Sequence, residues 1–201
     1  MGACWSIAIC YLWLEFKYKN RFLGAFAMPF AAIAMALAEM KNSQISPLIP
    51  ALQSNWLIAH VVTCFIGYAA FAVACGFGVL YLLKHRNKIK GEEGKILSQL
   101  PMLSIIDKII HKTLLFGFLW LTAGIITGAI WANSAWGTYW SWDPKETWSL
   151  ITWFIYAAAL HARFTHGWGG HRIAWFSIVG FVSVMFTYYG VNFLLSGLHS
   201  Y

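Results

Sequence analysis

The sequence predicts an all-α protein, a polytopic bundle of transmembrane helices, from three observations. Hydrophobic residues make up 60% of the 201 residues and charged residues only 10%, whereas about a quarter are charged in soluble domains. Long apolar runs recur along the chain, and Lys and Arg collect in alternate loops between them. These features predict a single integral membrane domain, residues 1–201, with both termini extracytoplasmic.

Five apolar runs are near or above the roughly 17 to 25 residues with which a helix crosses a bilayer. They are Phe22–Ala38, Trp56–Leu83, Thr113–Ala132, Thr147–Ala162 and Ile173–Leu195. A sixth run, Gly2–Leu14, is too short to cross unaided and has neither the basic flank nor the cleavage site of a signal peptide. We therefore expect five full spans plus a short or partial N-terminal sixth. A shortened N-terminus would explain that sixth run, and so would a tilted or half-buried helix.

The basic residues predict which loops face which side of the membrane, because cytoplasmic loops collect Lys and Arg. Twelve of the fourteen lie in three loops, at residues 17–21, 84–112 and 163–172. The intervening loops, 39–55 and 133–146, carry one lysine each. The basic loops are thus expected to face the cytoplasm of a bacterium or the stroma of a plastid, in the cytoplasmic or thylakoid membrane. No basic stripe remains for nucleic acid.

The cysteines and the small residues suggest packing rather than chemistry. Four cysteines lie in apolar runs at spacings that match no CxxC or zinc pattern, so we expect buried, inert thiols. Gly124 and Gly128 are spaced by one helical turn, as are Ala70, Ala74 and Gly78, which allows close contact between helices in a membrane.

The stretch WGTYWSWDPKETW, from Trp136 to Trp148, concentrates aromatic and charged side chains in a chain otherwise poor in charge. Six of the twelve tryptophans fall between Trp131 and Trp153, most of them in a loop. An interfacial belt needs only one or two aromatic residues per helix end. The excess suggests an aromatic platform on the outer side, and we call residues 131–148 the tryptophan segment.

The tryptophan segment also has a purely structural interpretation, because Trp and Tyr gather at membrane interfaces in many proteins. Asp143 can be an N-cap, with Pro144 as the first helical residue and Glu146 as the third, a capping-box arrangement. On this alternative the segment is an interfacial belt followed by the start of a helix. Composition alone leaves both interpretations open.

A flat aromatic surface beside a helix N-terminus suits a ligand that is flat and apolar and carries carboxylates. Stacking binds the body of such a ligand, and the exposed N–H groups bind its anions. Haem has these properties. A quinone would use the platform but not the anion site, and an amphipathic peptide would use both less selectively.

Haem also requires axial ligands, for which neutral imidazole is common. Four of the seven histidines lie in or beside basic loops and are interpreted as solvated surface residues: His85, His111, His166 and His171. His60 and His199 lie near the outer ends of their spans, on the side of the tryptophan segment. Each alone could be an interface histidine. As a pair they are positioned to ligate one iron from opposite sides.

His161 lies 13 residues beyond Trp148, roughly 20 Å along a helix. Trp153, Ala157 and His161 share one helical face, and ionisable residues in the inner half of a bilayer usually carry function. His161 is therefore a candidate for a second haem site, for which no other span supplies a partner histidine. The alternative is a histidine at the inner interface, just before Arg163.

The motif WGTYWSWDPKETWSLITW resembles the tryptophan-rich WWD signature of membrane proteins that handle haem in cytochrome c maturation, in the version of the CcsA (ResC) type. The resemblance continues through LHAR, GVNFLLSGLHSY and LQSNWLIAHV, from about Leu52 to Tyr201. It implies that His60 and His199 flank the motif and ligate haem b as cargo, and that His161 is a membrane-embedded histidine. It further implies a CcsB (ResB) type partner subunit and delivery of haem to the thiols of an apocytochrome c.

The resulting hypothesis assigns a role to each part of the site. Indoles of the tryptophan segment hold the macrocycle, the helix start at Asp143–Glu146 with Lys145 binds the propionates, and His60 and His199 ligate the iron. The platform indoles are Trp136, Trp140, Trp142 and Trp148. No separate catalytic constellation stands beside them, so any catalytic contribution would be positioning.

Two other classes of protein remain as alternatives. A b-type haem or quinone-binding redox subunit would be expected to place histidine pairs deep in the membrane, and this chain has only His161 there. A transporter or channel without haem would be expected to show broken helices or paired membrane carboxylates, which the sequence does not suggest.

Overall fold

The computed structural model describes residues 52–91 and 100–195, together with a few isolated positions before residue 40. This part of the chain is helical and contains no strand, as predicted. The main helices are α1 (Asn55–Lys90), α2 (Leu103–Trp136), α3 (Pro144–His166) and α4 (His171–Met185). A π-helical turn, Phe186–Gly190, continues α4 into a last α-helical turn, Val191–Leu194. The predicted spans Gly2–Leu14 and Phe22–Ala38 lie outside the described residues.

Three of the described helices are long and apolar enough to cross a membrane: α1, α2 and the continuous helix His171–Leu194. Each contains one predicted span. Helix α3 contains the predicted span Thr147–Ala162 and, with 23 residues, is about 35 Å long. It is less apolar than the other three, because hydroxyl and charged side chains interrupt it. The crossing of α3, the total of five spans and the side of each terminus stay predictions.

The helix ends follow from local sequence. Gly91 and Gly137 end α1 and α2 in the left-handed conformation, with φ of 71° and 80°, which glycine adopts without steric cost. Helix α3 begins with the predicted capping box: the Asp143 side chain accepts from the backbone of Glu146, and the Glu146 side chain accepts from the backbone of Asp143. The structural interpretation of these two residues is confirmed.

The core of the described part lies where α1 packs along α2 and α4. Ala70 and Ala74 are fully buried, and a Cβ on Gly78 would lie 2.9 Å from the carbonyl oxygen of Ala174. The predicted close contact of small residues is therefore confirmed. Phe71 of α1 stacks on Tyr156 of α3, with ring centroids 3.7 Å apart, which ties the third helix to the same core.

An ion pair joins three elements at the basic end of the bundle. Both guanidinium nitrogens of Arg163 on α3 donate to Asp107 on α2, at 2.8 and 2.7 Å. Asp107 also accepts from the backbone N–H of Gly170, at 2.7 Å, in the turn before α4. The two side chains are 19% and 17% exposed, so the pair is mostly shielded from water. Asp107 thus fixes α2, α3 and the start of α4 relative to one another.

We expect Asp107→Asn to lower the free energy of unfolding by about 2 kcal/mol, because it leaves a mostly buried guanidinium without its counter-charge. Unfolding of the purified protein by denaturing detergent would measure this. Lys108→Gln, an exposed change on the same helix, is the matched control. If the double variant Asp107→Asn/Arg163→Gln lost as much stability as the two single variants added together, the pair would not be coupled.

Candidate functional site

A cavity of about 210 Å³ lies at the end of the bundle where α1 begins and α2 ends. Helices α1, α2 and α3, the tryptophan segment and the π-helical turn all contribute to its wall. Its chemistry-bearing side chains include His60, Cys64, Trp131, Trp140, Lys145 and Tyr188. An imidazole, two indoles and an ammonium group from distant parts of the sequence therefore share one cavity.

His60 is held by a backbone acceptor on the neighbouring helix. Its Nδ1 lies 2.8 Å from the carbonyl oxygen of Gly124. A carbonyl only accepts, so the proton of the neutral ring is on Nδ1 and the lone pair is on Nε2. Imidazoles that ligate metals commonly donate their other N–H to a carbonyl in this way, which fixes both tautomer and ring orientation. The geometry prepares Nε2 as a ligand atom.

Two residues of α2 fix the plane of the His60 ring. A Cβ on Gly128 would lie only 2.6 Å from Nδ1 of His60, so the ring occupies the space that a side chain at residue 128 would fill. Trp131 is 1% exposed and lies parallel to the imidazole, at 13° with centroids 6.2 Å apart. Gly124, Gly128 and Trp131 follow one helical face at i, i+4 and i+7, and together they form the seat of His60.

The predicted platform divides into residues that line the cavity and residues that do not. Trp140 and Lys145 line it, together with Tyr139. Trp136 packs edge-on against Trp131, with centroids 4.8 Å apart, and so supports the seat of His60 from behind. The four indoles predicted as the platform therefore do not form one continuous flat surface among the described residues.

Trp142 and Trp148 occupy different surroundings. Trp142 is 69% exposed, meets Trp140 edge-on at 5.8 Å, and is the one described non-glycine residue with a positive φ, 60°. Strained backbone of this kind is found mostly at functional sites. Trp148 packs against Phe186, with centroids 4.2 Å apart, and so contacts the π-helical turn.

The start of α3 presents an ammonium group rather than free backbone N–H groups. Asp143 is 6% exposed and accepts from the backbone of Glu146 in the capping box. The N–H of Thr147 donates to the Asp143 carbonyl at 2.9 Å, and Pro144 has no N–H. These positions cap the helix with their own atoms. Of the residues of the predicted anion site, Lys145 and Glu146 line the cavity, and the binding of an anion there stays a prediction.

Of the other two predicted ligands, the structure describes only His161, and it lies apart from this cavity. His161 lies near the far end of α3, is exposed, and has its ring 6.2 Å from that of His166. His199 lies outside the described residues. The pairing of His60 with His199 and the role of His161 as a second site both stay predictions. No group of three or more metal-binding side chains occurs in the part of the chain that the structure describes.

Sequence reasoning missed Trp131, Gly128 and Tyr188 as parts of this site. Trp131 belongs to the predicted tryptophan segment but has no predicted role at the iron ligand, and Gly128 is predicted only as a packing residue. Their i, i+3 spacing in one helical face was a usable signal once His60 was a candidate. Tyr188 lines the cavity from the π-helical turn, and the sequence FTYYG does not predict such a turn.

Comparison with known proteins finds one family model and several similar proteins that match all or nearly all of this chain. The family model for the cytochrome C assembly protein matches residues 1–199. Three similar proteins are each named cytochrome c biogenesis protein CcsA. The one from Guillardia theta is 39% identical, covering 100% of this chain and 73% of the relative. That from Heterosigma akashiwo is 42% identical, over 95% and 70%, and that from Gloeobacter violaceus is 37% identical, over 98% and 74%.

We expect Gly128→Ala to displace the His60 ring, because the new methyl group would overlap its Nδ1. Nitrogen-15 NMR of histidine-labelled protein should then lose the Nδ1-protonated signal of His60, which His60→Gln identifies. Gly117→Ala is the matched control, since its methyl group would meet Phe71 of α1 instead, at 2.7 Å, about 16 Å farther along the helix. An unchanged His60 signal in Gly128→Ala would contradict the proposed seat.

Proposed function

The chain belongs to the cytochrome c assembly protein family and is of the CcsA type, and from this we propose that it binds haem b as cargo at the His60 cavity. It then presents that haem for covalent attachment to apocytochrome c. The observation that carries the proposal is the Nδ1 hydrogen bond of His60 to Gly124, at 2.8 Å. It leaves the ligand lone pair on Nε2 in a cavity that also contains Trp140 and Lys145.

The size of the cavity agrees with a ligand that is held at one edge. Pockets that enclose a drug-sized ligand measure about 300–1,000 Å³, whereas this cavity measures about 210 Å³. A porphyrin ligated by His60 would therefore extend beyond it. His199 is proposed as the second axial ligand, on the opposite face of the macrocycle.

Each remaining group is proposed to act by holding part of the haem. Trp140 contacts the macrocycle, because indoles stack on flat apolar ligands. The Lys145 ammonium pairs with a propionate, as a cation does with a carboxylate in partly dry surroundings. Asp143 acts indirectly, since its capping box fixes the first turn of α3 and with it the position of Lys145. Trp136 and Trp142 flank the indoles that line the cavity, and Trp148 anchors the π-helical turn.

Such a binding mode suits the attachment chemistry. Addition of a cysteine thiol across a haem vinyl group breaks the S–H bond and the vinyl π bond and forms one C–S bond and one C–H bond, so nothing leaves. The reaction therefore needs an accessible vinyl edge and a fixed macrocycle rather than an acid–base pair, so positioning is the contribution we assign to this chain. Histidine of the apocytochrome then replaces one of the two imidazoles.

His161 is proposed to face a CcsB (ResB) type partner subunit. Its side chain is exposed on α3, and a histidine in a membrane helix seldom faces lipid. A second haem would be shared there, with its other ligand supplied by the partner. The relatives support a role in cytochrome c biogenesis, and the sharing of haem between two subunits is our own extension.

The alternative is a b-type haem or quinone-binding redox subunit. A quinone would use the aromatic wall but has no carboxylate to pair with the Lys145 ammonium. A resident redox haem would require two histidines facing each other at depth. The described residues place His60 at one end of the bundle and His161 near the other, so they do not form such a pair.

We expect His60→Ala and His199→Ala each to remove most of the bis-histidine Soret absorption from the protein purified with its partner, because one axial ligand is lost. The measurement is the visible spectrum per mole of protein, with total haem from the pyridine haemochrome assay. The matched control is His166→Ala, which removes an exposed histidine at the end of α3 that lies away from the cavity. Persistence of the full signal in both site variants would favour a fixed membrane haem at His161.

We expect Lys145→Gln to weaken haem retention about five- to tenfold, the size of one charge-assisted contact, and Lys145→Arg to restore it. Haem release to apomyoglobin, followed at the Soret band, measures the change. Because both substitutions leave the capping box intact, a stability difference should not arise. Equal haem retention in Lys145→Gln and Lys145→Arg would show that the Lys145 ammonium does not pair with a propionate.

A further inference from the structure

A second concave surface lies at the opposite end of α1, between the end of that helix and the start of α4. It is a groove of about 560 Å³ with an apolar floor and a basic end. Its floor includes Val79, Leu82 and Ile178, and its basic end is formed by Arg86, Lys90 and His171. Thirty residues of α1 separate His60 from Lys90, about 45 Å of helix, so the groove is unrelated to the haem cavity.

The cations of the groove have no acidic partner in the described structure. None of the described residues that line the groove is Asp or Glu. Within residues 52–91 and 100–195, Arg163 pairs with Asp107, and neither Arg86 nor Lys90 has an ion pair with a described residue. Groups this basic, left without a counter-charge beside an apolar surface, select an anion.

His171 presents a donor to the groove rather than a metal ligand. The indole Nε1–H of Trp175 donates to His171 Nε2 at 3.2 Å, which occupies the ring's one lone pair. The proton of the neutral ring is then on Nδ1, where it donates to an acceptor. His171 is also the first residue of α4, so the positive end of that helix's dipole adds to the attraction for an anion. This arrangement disfavours haem iron.

The length of the apolar floor indicates the length of the ligand that the groove accommodates. From Lys90 to Val79 the groove follows eleven residues of α1, about 17 Å, leading away from the basic end into the apolar part of the helix. Leu83 is 45% and Trp175 is 50% exposed, so the floor is open to the side. The occupant therefore carries an anionic head and a long apolar chain.

We propose that this groove binds a glycerophospholipid with an anionic headgroup, drawn from the leaflet on the side of the basic loops. The phosphate pairs with Arg86 and Lys90 and accepts from His171, and an acyl chain follows Leu82 and Val79. The lipid fills the space between the end of α1 and the start of α4. It thereby ties together two helices that the Asp107 ion pair does not join.

Native mass spectrometry of the full chain in detergent tests this, with phosphatidylglycerol and phosphatidylcholine of identical acyl chains as probes. We expect phosphatidylglycerol to bind the wild type, and Arg86→Gln/Lys90→Gln to bind it at least tenfold more weakly, since each cation contributes near a membrane surface. Lys108→Gln/Lys112→Gln removes the same charge from an exposed face of α2 and should bind as the wild type does. Arg86→Lys/Lys90→Arg, which conserves charge, should also bind.

Three outcomes would overturn the proposal. An equal loss of phosphatidylglycerol binding in both glutamine double variants would mean that the overall positive charge, and not this groove, determines binding. If phosphatidylcholine bound as tightly as phosphatidylglycerol, the negative charge of the headgroup would not contribute to recognition. Displacement of phosphatidylglycerol by one equivalent of hemin, in the wild type and in His60→Ala alike, would mean that the groove holds haem.

Discussion

The hydrogen bond from His60 to the Gly124 carbonyl is the contact on which the arrangement of the site depends. It crosses between α1 and α2 at 2.8 Å, and it is possible only because the two helices approach closely at glycines. A backbone acceptor inside a helix is already partly used by its own ladder, so a second bond to it fixes the imidazole without adding a polar side chain to an apolar interface. One contact therefore determines ring position, tautomer and the direction of Nε2.

The rest of the bundle holds that contact in place from a distance. At the basic end, Asp107 joins α2 to α3 and to the turn before α4. In the middle, Phe71 of α1 stacks on Tyr156 of α3, and Gly78 allows α1 to approach α4. Since helices are stiff over their length, fixing them at the middle and at one end also limits their relative motion at the other end, where His60 meets Gly128. Another polar contact that joins two helices is the bond from the Trp153 indole N–H on α3 to the Thr122 hydroxyl on α2, at 2.9 Å.

Features that depend on residues close together in the sequence were predictable. Features that depend on contacts between helices were not. The capping box at Asp143 and Glu146 involves residues three apart, so the sequence was sufficient. At the end of the bundle that contains the cavity, the apolar runs also located the ends of α1, of α2 and of the helix that continues α4 to within a few residues. The seat of His60 was not predictable in the same way, because Trp131 and Gly128 acquire their role only when α2 lies against α1. The basic ends of α1 and α2 also extend beyond the apolar runs, since Lys and Arg are good helix formers outside the bilayer. His199 and the first two predicted spans lie outside the described residues.

The π-helical turn after α4 changes the direction in which the helical turn that follows it, Val191–Leu194, faces. The Val191 N–H donates to the Phe186 carbonyl, five residues back, so the turn accommodates one residue more than an α-helix would. One residue corresponds to about 100° of rotation about the helix axis. Residues Val191–Leu194 are therefore turned by more than a quarter circle relative to an unbroken α4. Within the π-helical turn, Tyr188 lines the cavity and the Thr187 hydroxyl donates to the Trp148 carbonyl. The direction in which the side chains of Val191–Leu194 point is thus determined by a single inserted residue.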